Sequence, residues 1–318
     1  MQPWSHWKDT SWWKEMVHSS GQRPFIRWTP APSSSWPFMA ACFKTAHPKS
    51  PLVVITPGLK LQESMHQDLT TWLQWFSNQE NLSSFSQPYF YPAWEHLPHE
   101  AKLPHADVIS ERLETLMALL RWQSDPGNQP APVIVTTIQA LMQRTFEPDD
   151  LQGRTRTLKV GDIVDPLDLV EWLEDQAYEP EAKVTQKGEI ALRGGILDVF
   201  PLSSPWPVRL EFFGDELESI RYFQPESQLT RDRVEKIELT PGGELGIIKQ
   251  QIEKNEKAGT SKLVPFSNIL DYLPQVACIL DTEPLALQEA AEHYMEQIPE
   301  DDPYFMDWYG LLKRLNDG

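Results

Sequence analysis

Arg209, Glu211 and Phe213 stand at alternate positions of the run VRLEFF, residues 208–213. In a β-strand such alternation sends these three side chains to one face and Val208, Leu210 and Phe212 to the other. The apolar face reads as core. The other offers recognition chemistry, because a flat ring buries a large area and a guanidinium makes paired hydrogen bonds to carboxylates. A second reading of the same residues is open. In it Phe213 covers a neighbouring loop and Arg209 pairs with Glu211 or Glu218 in solvent, where an ion pair contributes about 0–1 kcal/mol.

The remaining chemistry-bearing residues are less suggestively arranged. Residues 276–283 (VACILDTE) end an apolar strand in an acidic pair, as the metal-holding strand of an ATPase does. They equally fit a helix start, with Asp281 and Glu283 as caps and Pro284 in the first turn, and capping is the expected role. His96, His99 and His105 share a loop containing Pro92, Pro98 and Pro104, at a spacing that suits neither a helical nor a strand pair of metal ligands. A packed, proline-stiffened loop is expected there, and no metal. Thirteen tryptophans, several within residues 4–13 and 72–75, could stack on bases, but stacking platforms come with a positive groove. Here 28 Lys and Arg face 46 Asp and Glu, a formal charge of −18 that opposes any unspecific grip on phosphates. Binding to protein is favoured over binding to DNA, and the tryptophans are expected in cores or contacts between domains. Cys42 and Cys278 lie far apart beside apolar residues and are expected to be reduced core thiols.

The elements that would position these residues follow from hydrophobic patterning. With 318 residues, 40% of them hydrophobic, two or three compact units are expected. No run approaches the roughly 18 apolar residues of a membrane span, and the N-terminus is broken by charges, so a soluble cytoplasmic protein is expected. Short branched runs at residues 52–56 (LVVIT), 133–137 (VIVTT) and 276–281 (VACILD) predict buried parallel strands, with residues 26–29 and 89–91 as weaker candidates. Between them, residues 107–122 predict a helix carrying Val108, Leu113, Leu116, Met117 and Leu120 on one stripe and Ser110, Glu111, Arg112 and Glu114 on the other, capped by Asp107. Another helix is expected at residues 138–144.

Near Gly153 the texture changes. A short helix at residues 167–176 leads into extended sequence punctuated by Gly188, Gly194, Gly195 and Gly214, so residues 183–239 predict a small, mostly antiparallel β domain. A polar, strand-poor stretch at residues 241–261 then precedes the last strand and a helix around residues 285–297. The expected architecture is α/β: an α/β domain at residues 1–152, a β-rich insertion at 153–240, and a return to the α/β domain at 241–318.

Residues 191–201 (ALRGGILDVFP) and 207–221 (PVRLEFFGDELESIR) resemble the UvrA-binding domain shared by UvrB and the transcription-repair coupling factors (Mfd). Residues 91–116 (YPAWEHLPHEAKLPHADVISERLETL) and 133–144 (VIVTTIQALMQR) are similar to the N-terminal part of the coupling factors in particular. The resemblance runs from about residue 52 to 296. It implies that the contacts to UvrA fall on Arg193, Arg209 and Phe213, with Glu211 at the rim, and that the parallel sheet is a degenerate P-loop, helicase-like domain. Where UvrB carries its phosphate loop this sequence has TPAPSSSWPFMA, residues 29–40. Such a loop needs glycines whose amides converge on phosphate, then a lysine; no Gly-Lys pair occurs anywhere in the chain, so ATP binding is not expected and no cofactor is implied.

The resemblance therefore implies an adaptor that binds UvrA. RNA polymerase and DNA would be reached only through other domains of a full-length family member, which include an ATP-driven DNA translocase whose motifs are not legible in these residues. A divergent UvrB-like ATPase or helicase, and a stand-alone UvrA-binding regulator, are the alternative functions.

Overall fold

The computed structural model describes residues 25–27, 33–80, 87–100, 102–257, 267–274, 277–300 and 302–317, together with Ser11 and Lys14. The chain forms two compact units, one of residues 1–93, 115–144 and 269–318, the other of residues 94–114 and 145–268. Among the described residues no helix is long and apolar enough to cross a membrane.

The first unit is built on a five-stranded sheet ordered Phe25–Arg27, Cys278–Asp281, Leu52–Thr56, Val133–Thr137, Tyr89–Tyr91, every neighbouring pair parallel. Leu52–Thr56 and Val133–Thr137 are buried along their whole length, which is why they read as unbroken branched runs: a strand covered on both faces has no polar alternation. Trp36, Phe43, Leu69, Leu73 and Phe76 from the helices Trp36–Ala46 and Leu59–Glu80 close one side of the core, with Trp72 and Trp75 packed edge-on beside Phe38 and Phe76. Those two tryptophans are thus structural; the tryptophans of residues 4–13 lie outside the described residues. Cys42 and Cys278 are both buried free thiols, and burial pushes the Cys278 thiol up to about 11.

Two capping expectations are corrected. Pro284 opens the helix Pro284–Met295 and Asp281 ends the strand, both as foreseen, but Glu283 at the cap position makes no side-chain cap bond. Asp107 lies inside the first turn of the helix Ala106–Ser124 rather than before it, where its charge favours the positive end of the helix instead of capping it. Of the residues proposed to occupy a phosphate-loop position, Thr29 to Pro32 lie outside the described residues. Ser33–Ser35 form a 3-10 turn and Trp36 and Pro37 are buried at the start of the helix that follows. His96 of the proline-rich loop faces Glu100 at 3.0 Å.

In the second unit a six-stranded sheet runs Thr230–Val234, Glu216–Phe223, Val208–Phe213, Ile196–Val199, Glu189–Arg193, Glu179–Pro180, antiparallel except for the last pair. Its inner face, with Ile190, Leu197, Val208, Leu210, Phe212, Leu217 and Ile220, packs on Leu169 and Leu173, which stand one turn apart on the helix Pro166–Asp175. The stretch expected to be merely polar contains the helix Leu245–Lys257, whose Leu245, Ile247 and Ile248 are buried while its later turns are charged. The predicted polar stripe of Ala106–Ser124 is divided, with Glu114 exposed and two of its residues in the interior. Ser110 and Arg112 are buried, Arg112 against Glu244 and Ser110 donating to the Leu202 carbonyl at 2.5 Å.

Glu111, half-buried on that helix, has its carboxyl pushed up to about 7, chiefly by burial and then by the charge of Asp107, while Lys187 pulls it back. The folded chain then holds a proton that the unfolded chain has released between the ordinary value of 4.5 and about 7, so stability falls as pH rises through that window and levels off above it. Glu111→Gln should match the unsubstituted chain near the lower end and exceed it by ~1 kcal/mol at about pH 8, a figure discounted for solvent screening. Urea titrations at the two pH values check this; the same offset at both would show that the carboxyl's charge is not the cause.

A candidate protein-docking face

Two tight hairpins define one end of the six-stranded sheet. Arg193 pairs with Ile196 across the turn Gly194, Gly195, and Phe213 pairs with Glu216 across Gly214, Asp215. In each turn the first residue is a glycine in the left-handed region, φ +62° at Gly194 and +58° at Gly214, the geometry two-residue hairpins with a leading glycine require. Gly195 is fixed for a further reason: its carbonyl accepts from the Phe212 N–H at 2.7 Å, and a Cβ there would stand 2.7 Å from the Phe212 carbonyl oxygen. The two turns are thereby locked side by side, with Arg193 and Phe213 as the strand residues adjoining them.

On Val208–Phe213 the alternation reads as the sequence requires. Val208, Leu210 and Phe212 are buried, while Arg209, Glu211 and Phe213 face outward, the Phe213 side grading to 75% exposure. At that exposure the ring packs on no neighbouring loop among the described residues. Cross-strand register brings Asp198 opposite Arg209 and Glu211 opposite Ile196, which in turn stands opposite Arg193, so all four predicted residues, Arg193, Arg209, Glu211 and Phe213, share this face.

The pairing of charges on the face differs from either sequence reading. Arg209 is not paired with Glu211 or Glu218. Its Nε and Nη2 donate to the two carboxylate oxygens of Asp198 at 2.7 and 2.8 Å, and the guanidinium lies 4.7 Å above the ring of Phe223. Arg193 donates from Nη2 to the same carboxylate at 3.0 Å. Asp198 is fully buried, Arg209 is 18% exposed at its side chain and Arg193 54%. The hydrogen bonds to Asp198, ahead of the opposing effect of burial, hold the Arg209 guanidinium above its usual range. Glu211 accepts from the Ser219 hydroxyl at 2.5 Å and from Arg221 at 2.8 Å, so it belongs to a second cluster beside the first.

Chemically, the arrangement presents an exposed aromatic ring on the same face as two cations whose orientation a buried carboxylate fixes in advance. A preset donor fork loses less freedom when it meets a carboxylate than a free arginine does. Sequence reasoning missed Asp198, Ser219 and Arg221. The signal for Asp198 was a lone acid inside the apolar run ILDVF, which gains meaning only once the Gly194, Gly195 turn sets the register.

The UvrB interaction domain family matches residues 157–244, the segment that holds the whole of this face. A transcription-repair-coupling factor of Escherichia coli (strain K12) is 33% identical over 203 residues, covering 64% of this chain and 16% of that protein. That of Haemophilus influenzae (strain Rd) is 37% identical over 165 residues, covering 51% and 14%. That of Staphylococcus aureus (strain USA300) is 31% identical over 209 residues, covering 66% and 16%. The chain thus spans about a sixth of the length of these relatives. It is similar to transcription-repair-coupling factors over half to two thirds of its own residues, and within it residues 157–244 match the UvrB interaction domain family.

Proposed function

We propose that this chain is the adaptor module of a transcription-repair coupling factor, docking UvrA on the outer face of the six-stranded sheet and so recruiting excision repair to stalled RNA polymerase. Arg193, Arg209 and Phe213 are its anchors and Glu211 lies at the rim. The observation that carries the reading is Phe213, three-quarters exposed on a strand whose neighbours are rigidly paired, beside two guanidinium groups clamped by one buried carboxylate. An exposed aromatic next to oriented arginines has the composition of a binding hot spot. In this reading the module works in the cytoplasm and is not itself an enzyme. RNA polymerase, DNA and the ATP-driven translocase belong to other parts of the full-length protein.

Titrating the chain with purified UvrA tests this. Arg193→Ala, Arg209→Ala and Phe213→Ala should each weaken binding by at least ~1–2 kcal/mol, and Glu211→Ala by less than any of them. Unchanged affinity in all three would leave the assignment without support.

A further inference from the structure

The apolar end of the docking face does not stop at Phe213. Opposite Phe213 across the Gly214 turn stands Glu216, and opposite Glu216 in an isolated antiparallel bridge stands Ile163. Residues directly opposite in an antiparallel ladder project to the same side, so Phe213, Glu216 and Ile163 form one row. Ile163 is 73% exposed, and Ile196, diagonal to Phe213 on the next strand, 37%. The segment carrying Ile163 is held as firmly as a strand: Gly161 N–H donates to the Leu217 carbonyl at 2.8 Å, Leu217 N–H to Asp162 at 2.9 Å, and Val164 N–H to Asp215 at 2.7 Å. The Glu216 side chain makes no hydrogen bond or ion pair among the described residues, unlike Asp198 and Glu211 on the same face.

We propose that Ile163 and Glu216 form a second recognition element of the UvrA-docking surface, an apolar anchor and an unpaired carboxylate on the side of Phe213 away from the arginines. This rests on the proposed docking function and deepens it. Neighbouring strands lie about 4.8 Å apart, which puts Ile163 about 10 Å from Phe213. A partner that buries about 800 Å² covers a disc of about 16 Å radius, so one centred on Phe213 covers Ile163 as well. The face is polar in its sequence of charges: cations at Arg193 and Arg209, ring, then an anion at Glu216. The matching partner surface carries a carboxylate at one end, an apolar patch in the middle, and an amide or basic side chain opposite Glu216. A buried carboxylate left without a donor is costly, which makes that last group a determinant of specificity.

The test measures UvrA affinity of the full chain carrying Ile163→Ser, Ile163→Asp or Glu216→Lys, with Leu229→Ser as a control, since Leu229 is an equally exposed side chain in the turn at the far end of Glu216–Phe223. Ile163→Asp should raise Kd about tenfold or more, Ile163→Ser about threefold or more, and Glu216→Lys about fivefold with a larger loss at low salt, while Leu229→Ser leaves Kd within about twofold. Thermal melts of the exposed-site variants should superimpose on that of the unsubstituted chain. Loss of binding by Phe213→Ala with Ile163→Asp and Glu216→Lys unchanged would overturn this proposal and leave the docking function standing. If Phe213→Ala, Arg193→Ala and Arg209→Ala are also without effect, or the unsubstituted chain does not bind UvrA, both fall.

Discussion

Glu244→Ala should destabilise the second unit by ~3–5 kcal/mol, the largest single-residue effect expected in this chain. Glu244 and Arg112 are completely buried side chains, joined by Nε to Oε2 at 2.7 Å and Nη2 to Oε1 at 3.1 Å. The same carboxylate accepts from the Trp94 indole N–H at 3.0 Å and from the Thr145 hydroxyl at 2.7 Å, and the guanidinium lies 4.9 Å from the centre of the Trp94 ring. Every acceptor position of the carboxylate that these donors reach is in use. Truncating it removes the acceptor that a guanidinium, an indole N–H and a hydroxyl share among buried side chains, and the loss of the opposite charge dominates the cost. Arg112→Met should be comparably damaging, because it leaves the carboxylate. The double change Arg112→Met with Glu244→Leu should recover much of the loss, since an apolar pair of similar volume avoids the desolvation that the ion pair has to offset. Urea unfolding of the three variants decides the matter; a double variant as unstable as the sum of the singles would mean that packing, not the charge, is what the site requires.

That network also shows where the sequence was silent. The strands Leu52–Thr56 and Val133–Thr137 were legible to the residue, because burial on both faces leaves an unbroken branched run that no helix of five residues could use. The alternation of Val208–Phe213 was legible for the opposite reason, one face being core and the other not. Arg112 was placed on the polar stripe, and its burial could not be read there because its partner lies 132 residues away, beyond any local pattern. Charge hid the helix Leu245–Lys257, where Lys249, Lys254 and Glu253 mask the spacing of Leu245 and Ile248. On the candidate docking face Arg209, Glu211 and Phe213 could be placed outward from periodicity, whereas Arg193 came only with the resemblance. Which carboxylate held which arginine could not be read, because pairing depends on inter-strand register, and register is set by the two glycine turns together rather than by either strand.

Asp198→Ala is the second large effect, and it separates holding the arginines from being one of the contacts. Asp198 has no exposed surface with which to touch a partner, yet it takes two hydrogen bonds from Arg209 and one from Arg193. Removing it leaves the Arg209 guanidinium over Phe223 without its hydrogen-bonded anion, in a place only 18% open to water, with Glu211 acting only as a neighbouring charge. Because Arg209 retains some hydration and Arg193 is half exposed, the stability loss should sit below that of the fully buried pair, at ~2–3 kcal/mol. UvrA binding should fall at least as far as in Arg209→Ala, since both forks lose their preset direction and must be ordered on contact. Asp198→Asn keeps the shape and one acceptor oxygen and should lie between Asp198→Ala and the unsubstituted chain in both measurements. In the double variant Asp198→Ala with Arg209→Ala, no unpaired guanidinium remains at position 209, so the stability loss should be smaller than the sum of the singles while binding is not restored. Recovery of stability without recovery of binding is the signature of a residue that acts through the arginines; if Asp198→Ala bound UvrA normally once its melting was accounted for, the clamp would be a feature of the fold alone.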